Sequence, residues 1–362
     1  MDKQSLKQLI DSCHARGQQV ALSFCSHVPT EILEAAGFAH VRILHVDGME
    51  EPEVPELPKN LCPIVRQCCD LCLDEAVKDA DLIFAESSCD GKKKMYELLP
   101  RQEQLYYYQV PQGEDRAYVN RLIRSEILYL LKMMEKRFGI TVTEEALRTA
   151  ASQVNAYREA AMELMAIQKQ QPPAVWGTEL LEALTSGENQ PTAVQKRDVL
   201  GRAREKLLSK TSSIPKHAPR ILITGCPVSG ICQKVVGTIE DNGGVMVAFE
   251  TCEGIKAHRR HVDTSAEDII GAIADCYQQT ACAIMSPNLL RFQLLEELIG
   301  EYHVDGIVDV TLQACHPYTV ERDKMRRFCA KVGIPYLPVE TDYAQAGSGQ
   351  LETRMAAFVE ML

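Results

Sequence analysis

Cysteine is the residue type in this sequence that points most directly to chemistry. The chain has 14 cysteines among 362 residues. A chain of this length can bury a sizeable core without disulfides or metals. Its polar N-terminus lacks a signal-peptide core, so we expect a cytoplasmic protein with reduced thiols. Three uses of the thiols then remain open: buried packing, redox chemistry and ligation of a soft metal.

The positions of the cysteines argue against packing alone. Five of them follow apolar segments predicted as strands, either directly or by a residue or two: Cys25, Cys89, Cys226, Cys252 and Cys315. Cys282 lies between a predicted helix and the turn SPN. In an open parallel sheet, ligands bind beyond the carboxyl ends of the strands. Two sheet edges facing each other would therefore form a cleft lined with thiols.

The run CPIVRQCCDLC contains four more cysteines. Cys62 precedes a proline at a predicted helix start, where thiolates and anions are favoured, and we assign it as a ligand. Cys68, Cys69 and Cys72 fit a helix interior. The spacing CDLC resembles a zinc motif, but no partner CxxC or histidine pair accompanies it, so zinc is the weaker interpretation. The remaining four fall inside predicted helices and are assigned to core packing: Cys13, Cys232, Cys276 and Cys329.

The segment CDGKKKMYELL adds positive charge next to a thiol. Gly91 permits a close backbone approach after Cys89. Three lysines follow: Lys92, Lys93 and Lys94. They could offset the negative charge of a metal cluster or reach a phosphate group of a substrate. The alternative is that they form a solvent-exposed face of a helix. His316, beside Cys315, either tunes a cluster or caps a turn.

Composition excludes several classes of protein. The formal net charge is −11 and the pI is near 5.4, which disfavours nucleic-acid binding. No apolar run approaches the ~20 residues of a transmembrane helix. No Walker A motif or other nucleotide fingerprint occurs, and no His, Ser and Asp arrangement indicates acyl transfer.

Strand-like and helix-like segments alternate at both ends of the chain, which predicts an α/β fold with parallel sheets. We expect an N-terminal α/β lobe over residues 1–115, with an irregular loop at 47–60. A cysteine-free helical segment follows over 116–218, and a C-terminal α/β lobe covers 219–362. The two lobes repeat one plan weakly: a strand, a cysteine, a helix ending at glycine, and a later strand followed by a cysteine.

Several stretches resemble one family closely. They are NLCPIV, SSCDGKKKMYELL, ILITGCPV, ETCEGIK, MSPNLLRF, VDGIVDVTLQACHPY and GQLETRMAAFVEML. Together they resemble the 2-hydroxyacyl-CoA dehydratase D-component family, and within it the branch of double-cubane-cluster proteins, which are anaerobic reductases or dehydratase subunits. The resemblance covers nearly the whole chain and is weakest in the helical segment. It implies two Rossmann-like or flavodoxin-like lobes with an iron–sulfur cluster between or beneath them.

The resemblance also implies a set of ligands. Dehydratase subunits hold one [4Fe-4S] cube with three cysteines, whereas double-cubane members hold two sulfide-bridged cubes, [8Fe-9S], with three cysteines each. The N-terminal ligands would be Cys25, Cys62 and Cys89. The C-terminal ligands would be Cys252, Cys282 and Cys315, with Cys226 in reserve for Cys252 or Cys282. The additional C-terminal thiols favour the double cube.

Three functions follow as alternatives. The first is a low-potential reductase with a double cube that acts on a small molecule. The second is a 2-hydroxyacyl-CoA dehydratase subunit with a single cube, and the third is a non-catalytic iron–sulfur scaffold. The resemblance implies an ATP-hydrolysing activator protein with its own [4Fe-4S] cluster as the electron donor. Because that activator is two-fold, and closed two-fold dimers are the commonest oligomers, we expect a homodimer.

Overall fold

We describe the fold from a computed structural model of the chain. It describes residues 1–49, 54–55, 57–114, 117–344 and 348–362. Residues 50–53 and 56 of the predicted loop lie outside these ranges, as does the predicted division between 115 and 116.

Within the described residues, eight strands form two separate four-stranded sheets, and all neighbouring strands are parallel. The first sheet has the order β2-β1-β3-β4 and the second β6-β5-β7-β8. The strands are β1 Val20–Ser23, β2 Ala39–Arg42, β3 Leu82–Glu86, β4 Leu105–Tyr108, β5 Arg220–Gly225, β6 Val245–Glu250, β7 Gly306–Leu312 and β8 Tyr336–Thr341. The predicted fold class, an α/β protein with two parallel-sheet lobes, is confirmed.

The central strands are buried along their whole length because helices cover both faces of a parallel sheet. Every residue of the central strands β1, β3, β5 and β7 is buried, and so is every residue of the edge strand β6. Runs such as LIFAE and VMVAFE supply the continuous apolar surface that this environment requires. Glu86 and Glu250 are the last residues of β3 and β6 and are fully buried.

Helices account for most of the remaining chain. They are α1 Lys3–Ala15, α2 Thr30–Ala35, α3 Pro63–Leu73, α4 Asp90–Met95, α5 Ala117–Phe138, α6 Glu144–Ala166, α7 Gly177–Glu188, α8 Ala193–Leu208, α9 Thr238–Asp241, α10 Ile255–His258, α11 Ile269–Gln278, α12 Leu289–Glu301, α13 His316–Val332 and α14 Ser348–Met361. Within the described residues, no helix is both long enough and apolar enough to cross a membrane. Helix α13 begins at His316, and Pro317 suits its first turn.

Helices α5 to α8 lie between the two sheets in sequence and connect them in space. Helix α6 packs on α2 beside the first sheet and on α10 beside the second, while α5 packs on α11. One apolar core runs through both lobes, since Val20 and Leu22 of β1 belong to the same buried cluster as Ile221 and Val308. The lobes are therefore held firmly against each other, which is a requirement for any site built from both.

Candidate functional site

Three of the six predicted ligands lie at helix starts. Cys62, Cys89 and Cys315 are the N-cap residues of α3, α4 and α13. The partial positive charge of a helix N-terminus favours a thiolate at such a position. At Cys89, burial raises the pKa of the thiol, and the backbone amides of Gly91 and Lys92 oppose that shift.

Cys25, Cys252 and Cys282 form one group of thiols, the Cys25 group. Cys25 and Cys252 each lie two residues beyond a strand, β1 in the first sheet and β6 in the second. Burial raises the pKa of Cys25 to about 12, and negative charge at Glu86, Cys282 and Cys252 adds to the effect. The thiols of this group thus influence one another electrostatically across the two lobes.

Hydrogen bonds hold the two loops of the Cys25 group together. The Nη1 of Arg42, at the end of β2, donates to the backbone oxygen of Cys252 at 3.0 Å and to Ser26 Oγ at 2.7 Å. Ser26 Oγ in turn lies 3.4 Å from the same oxygen of Cys252. Arg42 therefore joins the residue after Cys25 to the second lobe.

The segment that carries Cys282 is tied to the first lobe as well. The amide of Ser286 donates to the Gln112 oxygen at 2.8 Å, and the Glu114 amide donates back to the Ser286 oxygen at 3.1 Å. The carboxylate of Glu114 accepts the amides of Leu289 and Leu290, at the start of α12. A residue of the first lobe thus fixes the helix that follows Cys282.

Cys62, Cys89, Cys226 and Cys315 form a second group, the Cys62 group. Hydrogen bonding to the Cys315 thiol, together with burial, raises the pKa of Cys62 well above its usual value. Hydrogen bonding to Cys226 similarly raises the pKa of Cys315. Cys62 acts electrostatically on Cys89. Metal binding would displace the protons of the thiols at Cys62, Cys89 and Cys315, whose pKa is raised in this way.

The two groups do not follow the division by lobes. Sequence analysis assigned Cys25, Cys62 and Cys89 to one set of three. The structure instead places Cys25 with thiols of the second lobe, and Cys62 with Cys315. The assignment of the six cysteines as ligands stays a prediction, and so does their division into two sets of three.

Cys226, the reserve ligand, is 1% exposed. Its Sγ accepts the backbone N–H of Leu312 at 3.3 Å. It neighbours Cys315, whereas Cys282 neighbours Cys25 and Cys252. The two residues are therefore not interchangeable by position, and Cys226 is a reserve for the Cys62 group.

Cys68 lies nearer the site than its sequence suggested. It is a buried residue of α3, and burial raises its pKa to about 12, with Cys62 and Cys89 among the charges that contribute. Four other cysteines belong to neither thiol group: Cys13, Cys232, Cys276 and Cys329. The main charged groups that act on them are arginines and carboxylates. His316 is exposed at the start of α13.

A buried ion pair lies beside the thiols in the first lobe. Lys92 donates to the Glu86 carboxylate and, at 3.0 Å, to the backbone oxygen of Phe24. Tyr96 donates to the other oxygen of Glu86 at 3.1 Å. Burial lowers the pKa of Lys92, but the charges of Glu86, Cys68 and Cys25 outweigh burial and raise it overall. Lys92 is thus a permanent cation next to Cys25.

The second lobe repeats this arrangement. Lys256 Nζ lies 3.3 Å from the Glu250 carboxylate and donates to Tyr318 Oη at 2.6 Å. Burial lowers the pKa of Lys256, but nearby negative charge outweighs burial and raises it overall. That charge comes from Glu250, Tyr318, Cys252 and Cys282. Each lobe therefore places one buried ammonium group beside the Cys25 group.

Sequence reasoning missed both pairs, although a signal was present. The segments ESSCDGK (86–92) and ETCEGIK (250–256) each start at a strand-terminal glutamate and end at a lysine, with cysteine, an acidic residue and glycine between them. Of the three lysines in CDGKKK, only Lys92 is buried. Lys93 and Lys94 are exposed, and Lys94 pairs with Glu97.

The thiols suit a cluster better than a single ion. Among the described residues, no three His, Cys, Asp or Glu side chains are placed to hold one metal ion. A lone zinc ion would need its sulfurs about 2.3 Å from one centre, so the zinc interpretation of CDLC gains no support. A cluster of several irons accepts thiolates from a wider cavity. Partly buried thiols, helix N-termini and two ammonium groups fit that donor requirement.

Gly225, immediately before Cys226, is expected to tolerate no side chain. Its φ is +106°, and a Cβ there would overlap the backbone oxygen of Val310. We expect Gly225→Ala to cost about 1–3 kcal/mol in the free energy of unfolding, measured by urea denaturation. The control is Gly201→Ala in α8, where no atom lies within 4 Å of the added Cβ. That change should be neutral or stabilising, and equal losses for both variants would contradict the argument.

The sequence is similar to three proteins with known names. The chain is 37% identical to the Escherichia coli protein named "Putative dehydratase subunit YjiM", over 96% of this chain and 92% of that protein. It is 20% identical to the beta subunit of (R)-2-hydroxyglutaryl-CoA dehydratase from Acidaminococcus fermentans, covering 99% and 96% of the two chains. It is 21% identical to one of the subunits of benzoyl-CoA reductase from Thauera aromatica, covering 90% and 85%.

The sequence profile of one family, described as "2-hydroxyglutaryl-CoA dehydratase, D-component", matches residues 25–362. The match begins at Cys25, two residues after β1, and includes every other described strand and all of the thiols in the two groups. The chain therefore belongs to the 2-hydroxyglutaryl-CoA dehydratase D-component family.

Proposed function

We propose that this protein is an iron–sulfur reductase that works at low potential and receives electrons from a separate ATP-hydrolysing activator. The observation that carries the proposal is the pair of thiol groups. They contain six predicted ligands, three in each group once Cys226 is held in reserve. Each group takes cysteines from both lobes. Two such sets fit a double-cubane cluster better than a single cube.

When bound, such a cluster supplies one-electron chemistry at potentials set by its charge, hydrogen bonds and burial. The chain's own residues control those conditions. Lys92 and Lys256 place positive charge beside the thiolates, and each is 5% exposed or less. Helices α3, α4 and α13 direct their N-termini at the remaining thiols. Partial burial of the thiols limits the access of water, which protects a strongly reducing site from wasteful reactions.

The partner follows from what the chain lacks. Its sequence has no nucleotide-binding fingerprint, so hydrolysis of ATP has to occur on another protein. We propose an activator with its own [4Fe-4S] cluster, docking on a homodimer of this chain, with a small molecule as the final electron acceptor.

A second candidate is a dehydratase subunit with a single [4Fe-4S] cluster. The names of two relatives, the YjiM protein and the 2-hydroxyglutaryl-CoA dehydratase subunit, favour it. In this case one thiol group would bind the cube and the other would be free. A non-catalytic scaffold is the third candidate.

Iron analysis separates the first two candidates. Protein purified without oxygen should contain about eight irons per chain if it holds a double cube, and about four if it holds one cube. Acid-labile sulfide, measured on the same sample, should rise in parallel. A preparation with one iron per chain or none, after anaerobic reconstitution, would contradict both.

Electron transfer separates the enzymes from the scaffold. We expect activator, ATP and a strong reductant to convert the cluster to a state that dithionite alone does not reach, followed by EPR. Omission of ATP is the control. Equal reduction by dithionite without activator would remove the reason for placing this protein in an ATP-driven system.

A further inference from the structure

A small cavity borders Cys25 on the side facing α6 and α8. Its volume is about 30 Å³, which is room for two or three water molecules. Four basic side chains line it, from β2, α6, α8 and the segment after α10: Arg42, Arg158, Lys196 and Arg260. So many buried cations around one small space need an explanation, because buried charges are normally paired.

Two of the four cations are paired within the protein. Arg42 contacts both carboxylate oxygens of Glu188, at 3.1 and 2.9 Å. Arg158 lies 2.7 Å from the Glu31 carboxylate. The charges of Arg42 and Arg158 are therefore balanced by carboxylates. These two ion pairs do not explain why Arg260 and Lys196 are also present.

Arg260 is the first cation left over. It is 7% exposed, and its guanidinium lies 4.4 Å from the centre of the Tyr277 ring. Its Nη2 donates to the Ser26 oxygen. Its Nε and Nη1 are buried and have no hydrogen-bond partner in the part of the chain that the structure describes. Two donors of one buried guanidinium are therefore available to a ligand.

Lys196 is the second cation left over. It is 3% exposed, and its ammonium lies 5.6 Å from the centre of the Tyr157 ring. Burial lowers the pKa of Lys196, and the negative charges of Glu188 and Glu34 oppose that shift. Glu188 is shared with Arg42, which contacts both of its carboxylate oxygens. Lys196 and Arg260 thus both add positive charge to the same cavity wall, and the two free donors belong to Arg260.

We propose that this cavity binds a small planar monoanion, of the size of formate, and that Arg260 and Lys196 are its principal binding residues. A guanidinium presents its donors in a planar fork that matches a carboxylate or a similar oxyanion. The volume excludes a phosphate ester such as the phosphates of coenzyme A. Because Cys25 lines the same space, the anion would be the substrate class of the reductase proposed above, and to that extent this inference rests on the proposed function.

The test uses metal-free protein, so that it does not depend on the cluster. Titration with ¹³C-formate, followed by NMR, should show saturable binding, while the neutral isostere formamide should not bind. Ionic strength is held constant with methanesulfonate, which is too large for the cavity. Arg260→Met and Lys196→Met should each weaken formate binding about 10- to 100-fold, the range expected for loss of a charge-assisted hydrogen bond.

Arg259→Met is the matched control, since Arg259 is the adjacent residue and pairs with Glu297 and Glu301 at the surface. It should leave formate binding unchanged. Arg260→Met should also keep or raise the melting temperature in formate-free buffer, because it removes an unpaired buried charge. A purely structural Arg260 would instead give a lower melting temperature.

Equal affinity for formate and formamide would overturn the proposal, as would equal effects of the Arg259 and Arg260 substitutions. If metal-free Arg260→Met protein binds formate like the wild type but takes up less iron, the cation serves the cluster and the inference is wrong. If the wild-type protein binds formate but takes up no iron, that result would contradict the proposed function and leave the anion site intact.

Discussion

Serine at Cys25, Cys252 or Cys282 is expected to remove at least half of the iron and to bleach the absorption at about 400 nm that iron–sulfur proteins show. A serine hydroxyl stays protonated at neutral pH and is a poor ligand for a soft cluster, whereas a thiolate is the standard one. The same loss is expected at Cys62, Cys89 and Cys315. The measurement is iron content and visible absorption after anaerobic reconstitution.

Double substitutions distinguish the grouping seen in the structure from the grouping by lobes. If Cys25 and Cys252 hold the same cube, Cys25→Ser with Cys252→Ser should lose little more iron than either change alone. Cys25→Ser with Cys62→Ser should lose both cubes. The reverse pattern would restore the assignment of one set of three to each lobe.

Cys329→Ser is the control for these experiments. Cys329 is 1% exposed in α13, and the charged groups that act on it are Asp309 and Arg291, not thiols. Its substitution should leave iron and absorption unchanged. Cys226→Ser tests the reserve position: a loss equal to that of Cys315→Ser would make Cys226 a ligand, and full retention of iron would exclude it.

Glu86→Gln is expected to destabilise the metal-free protein by about 3–5 kcal/mol, because it leaves the ammonium of Lys92 buried without a counter-charge. Both side chains are almost inaccessible, with Glu86 at 0% and Lys92 at 5% exposure. Chemical denaturation of the metal-free chain measures this effect without a contribution from cluster binding. Replacing both partners, as Glu86→Gln with Lys92→Met, should cost less than Glu86→Gln alone.

An exposed pair on the same stretch of chain provides the control. Lys94 and Glu97 form an ion pair at the surface, and such pairs contribute about 0–1 kcal/mol. Glu97→Gln should therefore change the free energy of unfolding by less than about 1 kcal/mol. Equal losses in the free energy of unfolding for Glu86→Gln and Glu97→Gln would show that the buried pair contributes no more to stability than the exposed pair.

Much of the fold could be predicted from the sequence because its signals are local. Short continuous apolar runs such as LIFAE and VMVAFE are typical of buried strands, and helix-like segments follow them in the chain. The order of strands and helices then requires parallel sheets. For the same reason Cys25, Cys89, Cys252 and Cys315 could be placed at the carboxyl ends of strands, and Cys62 at a helix start.

Tertiary structure alone decided which of these residues meet. That Cys25 neighbours Cys252 and Cys282, and Cys62 neighbours Cys315, depends on how one sheet is set against the other through α6 and a common core. No local pattern encodes that relation. The same holds for charge: three consecutive lysines look alike in sequence, and only packing against Phe24 and Glu86 buries Lys92 while Lys94 stays in solvent. Arg42, Lys196 and Arg260 are far apart in the chain and carry no shared motif, so their convergence beside Cys25 exists only in the folded protein.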